Sequence, residues 1–532
     1  MKEKGQLMKH SKEQLQKGKR GLLSVVFGRT GIIVLLVLIQ VGFLLLLFQF
    51  LNDYVFTFYW ATVFLGFCLV VAMIGKPGNP AFKISWIVPI LMFPLFGALF
   101  YLYMNTQVGS LFLNKRIREE AASTSDLIEQ SPEVMEELKE QSPQMAHLAS
   151  YLKHTSKSSV HQYTEAQYFP CGEEMMEPLL QELRKAEKFI FVEYFIIDFG
   201  YMWESVLEVL KAKVREGVEV RLLYDGMNDL YRLPRKYPKQ LAEYGIQCRE
   251  FAPIIPALTT IQNNRDHRKI LVIDGHTAFT GGINLADEYI NRKERFGYWK
   301  DSVIMLKGEA VGEFTRMFLQ LWNVVEKQKT PCNYKKYLQP SYDREFQVNG
   351  SGFVIPYDDN PLDGEQVGEN VYMDMLYSAR SYVHIMTPYL VLDHEMIVAL
   401  TYAAKRGVDV KIIMPHIPDK MYAFLLARTY YNELLDAGVE IYEFIPGFVH
   451  TKAVVSDDEK AVVGSINMDF RSFYLSFECA ALLYRNKAVM QIENDFQKTL
   501  EQCVKVTKEV YSSQPLVNKV LGKVMRLFAP MM

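Results

Sequence analysis

Two stretches of this chain carry one pattern. Residues 267–284 read HRKILVIDGHTAFTGGIN and residues 450–467 read HTKAVVSDDEKAVVGSIN, each of the form His-x-Lys-x4-Asp-x6-Gly-x2-Asn. The segments before them also match, in the same order. FIFVEYFII (189–197) leads through a helix-like stretch to REGVEVRLLYD (215–225), as YVHIMTPYLVL (382–392) leads to KRGVDVKIIMP (405–415). YGIQCREF (244–251) then matches AGVEIYEF (437–444). Strand, helix, strand and helix, occurring twice, predict a duplicated α/β fold, each half built on a largely parallel sheet. The halves are placed at 160–330, with the first motif at 261–288, and at 331–510, with the second at 444–471.

What precedes the halves reads as a membrane region. The segment 1–30 carries eight Lys or Arg against Glu3 and Glu13, and three uncharged apolar segments follow at 31–51, 54–74 and 84–104. Each is long enough to cross a hydrocarbon core, which needs about 20 helical residues, so three transmembrane spans are expected. A cleaved signal peptide fits poorly, because the first apolar run is too long and a second follows at once. The charges conflict with three spans. The basic N-terminus points inward by the positive-inside rule, yet so do Lys115, Arg116 and Arg118 beyond the third segment. A re-entrant third segment or an inverted N-terminus would remove the conflict. Residues 105–159 shift to Glu, Ser, Gln and Lys and read as a linker or a pair of solvated helices, with starts at Ser131-Pro132 and Ser142-Pro143. The tail 511–532 sets Val517, Val520, Leu521, Val524 and Phe528 at helical spacing among Lys519, Lys523 and Arg526. It fits a basic amphipathic helix lying either on an anionic membrane or on the catalytic halves.

The chemistry follows from the repeated pattern. On a strand, His and Lys two apart project the same way, which couples a nucleophile or acid–base group to a fixed positive charge. Lys repels the metal ion that a histidine pair alone would suggest. No HExxH, Asp-rich or Cys/His cluster accompanies the motifs, and the six cysteines have no CxxC spacing. His, Lys and Asn together suit a phosphate. Lys269, Lys452, Asn284 and Asn467 would hold its oxygens while a histidine acts on phosphorus. Gly281 and Gly464 allow close backbone approach. Asp274 and Asp457, at odd spacing from their histidines, are expected to face away and to organise the loop and the lysine. Each histidine needs an acidic partner to fix its tautomer, and Asp301 and Glu478 are the candidates downstream. Glu193, His384, His394 and His416 are read as structural, and Asp225 as a residue that could line the cleft.

The double motif resembles the phospholipase D superfamily, in which two HKD motifs form one active site between two similar α/β halves. The sequences NNRDHRK (263–269), GGINLADEY (281–289), GYWKD (297–301) and GSINMDFRS (464–472) look like those of bacterial cardiolipin synthases. The resemblance runs from about residue 55 to the C-terminus, and the first apolar segment is additional to it. It implies that the catalytic set is His267, Lys269, Asp274, His450, Lys452 and Asp457, with His267 as nucleophile and His450 as general acid/base. It also implies crossed pairing, His267 with Glu478 and His450 with Asp301. The expected partners are phosphatidylglycerol, cardiolipin and the bilayer of a bacterial plasma membrane, with no metal or cofactor and no oligomeric state specified. Rival readings within the superfamily differ in the acceptor: a phospholipase D using water, or a phosphatidylserine synthase. A nuclease is disfavoured by the net charge of −2 and the apolar N-terminus, and a scaffold with a decayed site by the two intact motifs.

Overall fold

The computed structural model describes residues 29–50, 54–105, 108–228, 232–254, 263–326, 332–338, 350–509 and 515–531. The basic segment 1–28 and residues 261–262 of the first motif lie outside these. The chain divides into two compact units, Met1–Phe112 with Ile254–Asn263, and Leu113–Pro253 with Asn264–Met532.

The first unit is helical. Helix α1 spans Arg29–Phe50 and α2 spans Val55–Ile74. Among the described residues, Phe56–Ile74 alone is long and apolar enough to cross a membrane, with Val37–Leu46 and Pro80–Met92 as shorter apolar helices. The third apolar segment is not one span. It breaks at Phe93 into α3 (Pro80–Met92) and α4 (Pro94–Asn105). The Trp86 ring lies 5.4 Å from that of Phe100 and 5.6 Å from that of Tyr101. In a continuous helix, positions 14 apart would be separated by about 21 Å, so α3 and α4 fold back on each other as a hairpin. Pro94 ends α3, because proline disfavours a helical conformation at the residue before it. Gly97 lets the arms close: a Cβ there would lie 2.6 Å from Ile90 Cα.

In the second unit, residues 113–159 of the expected linker are packed helices rather than solvated chain. Ser131 and Ser142 cap Pro132–Gln141 and Pro143–Thr155, and Met145, Leu148 and Leu152 of the latter are buried. The first half contributes β1 (Thr164–Phe169), β2 (Phe189–Tyr194), β3 (Glu219–Asp225), β4 (Gln247–Phe251), β5 (Arg265–Asp266), β6 (Lys269–Ile273), β7 (Thr277–Gly281), β8 (Tyr298–Lys300) and β9 (Val303–Gly308). The second contributes β10 (Phe353–Asp359), β11 (Tyr382–Met386), β12 (Leu390–Val391), β13 (Asp409–Pro415), β14 (Glu440–Phe444) and β15 (Gly447–Val449). It continues with β16 (Ala453–Ser456), β17 (Lys460–Gly464), β18 (Met468–Asp469), β19 (Ser476–Tyr484) and β20 (Cys503–Lys505). One sheet runs β1-β9-β7-β6-β2-β3-β4, the other β10-β19-β17-β16-β11-β13-β14, with β20 added at its edge. Position by position the two orders are the same.

The sheets are mixed, which corrects the largely parallel expectation. Along these two strand orders, parallel pairing is confined to β2-β3-β4 and β11-β13-β14, while β6 and β16 join their neighbours antiparallel. The cause is a tight turn after each motif strand. The turns are three residues long, 274–276 and 457–459, and each opens on two left-handed residues: Asp274 and Gly275 have φ of 54° and 69°, and Asp457 and Asp458 have 54° and 57°. Between the sheets, α5 (Val311–Val325) inserts Phe314, Phe318 and Trp322 into a buried cluster that also holds Phe191, Val354, Val463 and Ala481. Each such side chain contributes roughly 1.5–3 kcal/mol through burial.

The turn aspartates have a second task. Asp274 accepts hydrogen bonds from the backbone N–H of Glu187, Lys188 and Phe189 at 2.7–2.8 Å, and Asp457 from Arg380, Ser381 and Tyr382 at 2.8–3.0 Å. They secure the start of β2 and β11, at the far end of the motif strands from the lysines, roughly 16 Å away at strand rise. Asp274→Ala is expected to lower the unfolding free energy by about 2–3 kcal/mol, read from chemical denaturation of the full chain in detergent. Lost turnover with unchanged stability would contradict this placement.

Candidate active site

Each motif histidine is held by the other half of the duplication. The short strand β5 leaves its own sheet and pairs in parallel with β19, Asp266 opposite Phe477. The next backbone N–H, that of His267, donates to Phe477 O at 2.9 Å. On the other side β8 pairs in parallel with β15, Lys300 opposite Val449, and His450 N–H donates to Lys300 O at 2.6 Å. These ladders place His267 beside Glu478 and His450 beside Asp301. His267 Nδ1 lies 3.0 Å from both Glu478 carboxylate oxygens, and His450 Nδ1 lies 2.6 Å from Asp301 Oδ2. With Nδ1 engaged, Nε2 is the nitrogen left to each ring. Phe195 packs edge-on against His267 at 5.0 Å, while Tyr289 and Trp299 pack against His450 at 5.5 and 5.2 Å.

Both carboxylates are themselves fixed. Ser465 Oγ donates to Glu478 Oε2 and accepts from Cys479 N–H. Asp301 Oδ1 accepts from Ser302 N–H at 2.8 Å. At the position matching Ser465 the first motif has Gly282, where a Cβ would lie 2.0 Å from Asp301 Oδ1. Gly281 and Gly464 meet Ser302 O and Cys479 O at equivalent places.

Burial sets the electrostatics. Lys269 and Lys452 are each 1% exposed and donate to the carbonyls of His267 and His450. Desolvation pulls Lys269 down to about 8 and Lys452 to about 7, opposed by Glu478 and Asp301 respectively. Burial, then Lys269 and Lys452, hold His267 well below the usual imidazole value. Burial and Lys452 bring His450 to about 4 against the pull of Asp301. Glu478 is pushed up to about 7 by burial, with Lys269 opposing. An anion beside Lys269 and Lys452 would favour the protonated form of both.

The asparagines differ from each other. Asn284 Oδ1 accepts from Ile196 N–H at 2.9 Å and its Nδ2 donates to Tyr289 Oη at 2.8 Å, so it fixes the ring that packs on His450. Asn467 Oδ1 is buried with no hydrogen-bond partner among the described residues. Asp274 and Asp457 lie at the other end of the strands and do not reach the lysines. Asp225 does not line a cleft: it is fully buried, accepting from Asp266 N–H and Met227 N–H and facing Arg265. Glu193 pairs with Arg268 at 2.7 Å, on the face of the strand opposite His267 and Lys269. His384 is buried against Glu493, His416 meets Glu443, and His394 is exposed at a helix start. Sequence reasoning missed Ser465, Tyr289 and Trp299. Ser465 had a signal, since aligning GGIN with GSIN marks the one small residue that carries a hydroxyl.

The family described as "Cardiolipin synthase, PLD-like domain" matches residues 179–322 and 372–500. The chain belongs to that family. A protein from Streptococcus mutans described only as uncharacterized is 49% identical, over 84% of this chain and 96% of its own length. Cardiolipin synthases from Alkalihalophilus pseudofirmus and a Geobacillus species are 34% and 35% identical, over 88% and 85% of this chain and 93% and 89% of theirs. Among solved structures, phosphatidylserine synthase of Haemophilus influenzae superposes with a TM-score of 0.53 at 15% identity, over 69% of this chain and 93% of that one, and shares the fold. In this cardiolipin synthase-family chain both motifs therefore fall within the matched segments.

The depressed lysines give a signed expectation. Anion binding raises both pKa values, so sulfate binding at pH 8 should take up about one proton per ion. Calorimetric titration in two buffers of different ionisation enthalpy measures this, and zero uptake or proton release would contradict it.

Proposed function

We propose that the chain transfers a phosphatidyl group from one phosphatidylglycerol to another, giving cardiolipin and glycerol. The observation that carries the reading is the pair of carboxylate-oriented histidines, one from each half, beside two buried lysines. Its relatives supply the lipid class. His267 Nε2 attacks phosphorus, the P–O bond to glycerol breaks, and His450 gives the departing oxygen its proton. A phosphatidyl–His267 intermediate remains. The terminal hydroxyl of a second phosphatidylglycerol then attacks phosphorus, His450 takes its proton, and the P–N bond breaks to restore His267. Glu478 and Asp301 act as positioning residues that keep each Nδ1 occupied and stabilise the imidazolium that forms.

The depressed value of His450 suits this cycle. A phosphodiester brings negative charge beside it and raises it toward the range in which it donates. Lys269 and Lys452 neutralise the charge that develops on the phosphoryl oxygens. Asn467, with its free carboxamide oxygen, suits contact with the incoming hydroxyl better than with phosphate oxygens, which repel it. Asn284 keeps at most one N–H for phosphate, and its larger role is to seat Tyr289.

We read the membrane region as two spans, α1 and α2, followed by a re-entrant hairpin. Helices of 22 and 20 residues reach about 30 Å, whereas α3 and α4 each reach about 20 Å. An even number of crossings puts both basic regions, 1–30 and Lys115–Arg118, on the cytoplasmic side of the plasma membrane, in accord with the positive-inside rule.

The test is purified, detergent-solubilised protein supplied with phosphatidylglycerol. Cardiolipin and glycerol should rise in equal amounts, and His267→Ala should abolish both. Glu478→Gln should keep the fold while turnover drops about 100-fold or more. Phosphatidic acid without cardiolipin would make water the acceptor. Near-normal turnover in Glu478→Gln would contradict the positioning role.

A further inference from the structure

The C-terminal helix α8 (Leu516–Phe528) is seated on the catalytic unit by one face and leaves the opposite face bare. It lies on α6 (Met421–Ala437), with Gly522 as the point of contact: a Cβ there would come within 2.8 Å of Thr429 Cγ2 and 2.9 Å of Leu425 O. The Arg526 guanidinium stacks 4.3 Å over the Tyr430 ring and faces Glu433. The chain then ends in a turn, Ala529–Met531, whose Ala529 and Pro530 are buried. That turn packs on α7 (Phe470–Tyr474), the short helix directly after Asn467 and Asp469.

Apolar side chains cover the outward face. Val517 is 74% exposed, Val520 53% and Val524 52%, and Leu516, Leu521 and Phe528 are also exposed. At 100° per residue these six fall within an arc of about 140°, and Gly522 lies about 170° from the arc's middle. The stripe is thus not spare surface of a core-facing helix, because the core-facing side is already used. The helix carries Lys519, Lys523 and Arg526 and no acidic residue. The apolar exposure continues at the start of α6, where Met421 is 61% and Tyr422 45% exposed, next to Lys420. One helical turn separates Met421 from Leu425, beneath Gly522. Lys420 and Arg471 of α7 both contribute to the positive field at His267, so α8 contacts two elements that border the site.

We propose that the bare face of α8, together with Met421 and Tyr422, is an interfacial seat that inserts into an anionic lipid leaflet and sets the mouth of the active site against it. An apolar stripe flanked by cations matches the acyl boundary beneath acidic headgroups. A symmetric contact with a second copy would bring these acid-free, cationic helices together, so the bilayer is the better-matched occupant. The seat is independent of which acceptor alcohol the site uses.

The test uses the full-length chain reconstituted in vesicles of phosphatidylglycerol and phosphatidylcholine, with photoreactive benzoylphenylalanine in place of Val520. After irradiation, mass spectrometry should find lipid attached at 520 at least about tenfold above the same probe placed at the exposed Glu177, and less in vesicles of phosphatidylcholine alone. Lipid attachment no greater than at 177 would overturn the proposal. Crosslinked dimers in place of lipid adducts would overturn it in favour of a second copy. Equal attachment in both vesicle types would remove the anionic preference. Parallel assay of cardiolipin formation separates these outcomes from failure of the transferase reading, since the adduct at 520 requires no turnover.

Discussion

Two short parallel ladders that cross between the halves govern this site. Each is a strand of two or three residues, β5 on β19 and β8 on β15, and each ends where a motif histidine begins. Because side chains alternate along a strand, a slip of one residue in either ladder would turn the carboxylate away from its histidine. The rest of the catalytic unit keeps those registers. The duplicated sheets bring the motif strands to matching central positions, the α5 aromatics fill the space between the halves, and Asp274 and Asp457 secure the strands that flank the motifs. The glycines serve the same end, since only a residue without Cβ fits Gly282 against Asp301.

The electrostatic consequence is a cluster of buried charges suited to an anion. Two lysines, two histidines and Glu478 sit where desolvation dominates, so each is displaced toward its neutral form. Burying such groups is costly unless they are paired, and here the pairing is only partial. On the proposed reading, a phosphodiester would complete it. The same field that depresses His450 would make its proton affinity responsive to a bound phosphodiester, which is what the proposed acid/base role requires.

Much of this was readable in the chain before any coordinates, and the exceptions have physical causes. The alternation of His and Lys at i and i+2 predicts two side chains on one face, and the duplicated order of segments predicts two like halves. The pairing of His267 with Glu478 and of His450 with Asp301 spans 211 and 149 residues, so no local pattern encodes it; only the family resemblance suggested it. The mixed character of the sheets was encoded at Asp274-Gly275, a hairpin signal overshadowed by the strands around it. The third apolar segment has the hydropathy of a span, and its proline at 94 and glycine at 97 carry the information that it folds back. Asn284 illustrates the opposite limit: its chemistry suits phosphate, but its packing commits it largely to Ile196 and Tyr289.

The central claim is that one histidine from each half serves a single phosphorus, with His267 forming the bond. The most direct measurement uses phosphatidyl-p-nitrophenol, whose leaving group departs without help from an acid. His450→Ala should release about one equivalent of nitrophenol per chain and then stall, with the phosphatidyl group recovered on the peptide that contains His267. His267→Ala should release none. A burst from His267→Ala with none from His450→Ala would reverse the roles, and continued turnover in both variants would contradict a shared site built from the two halves.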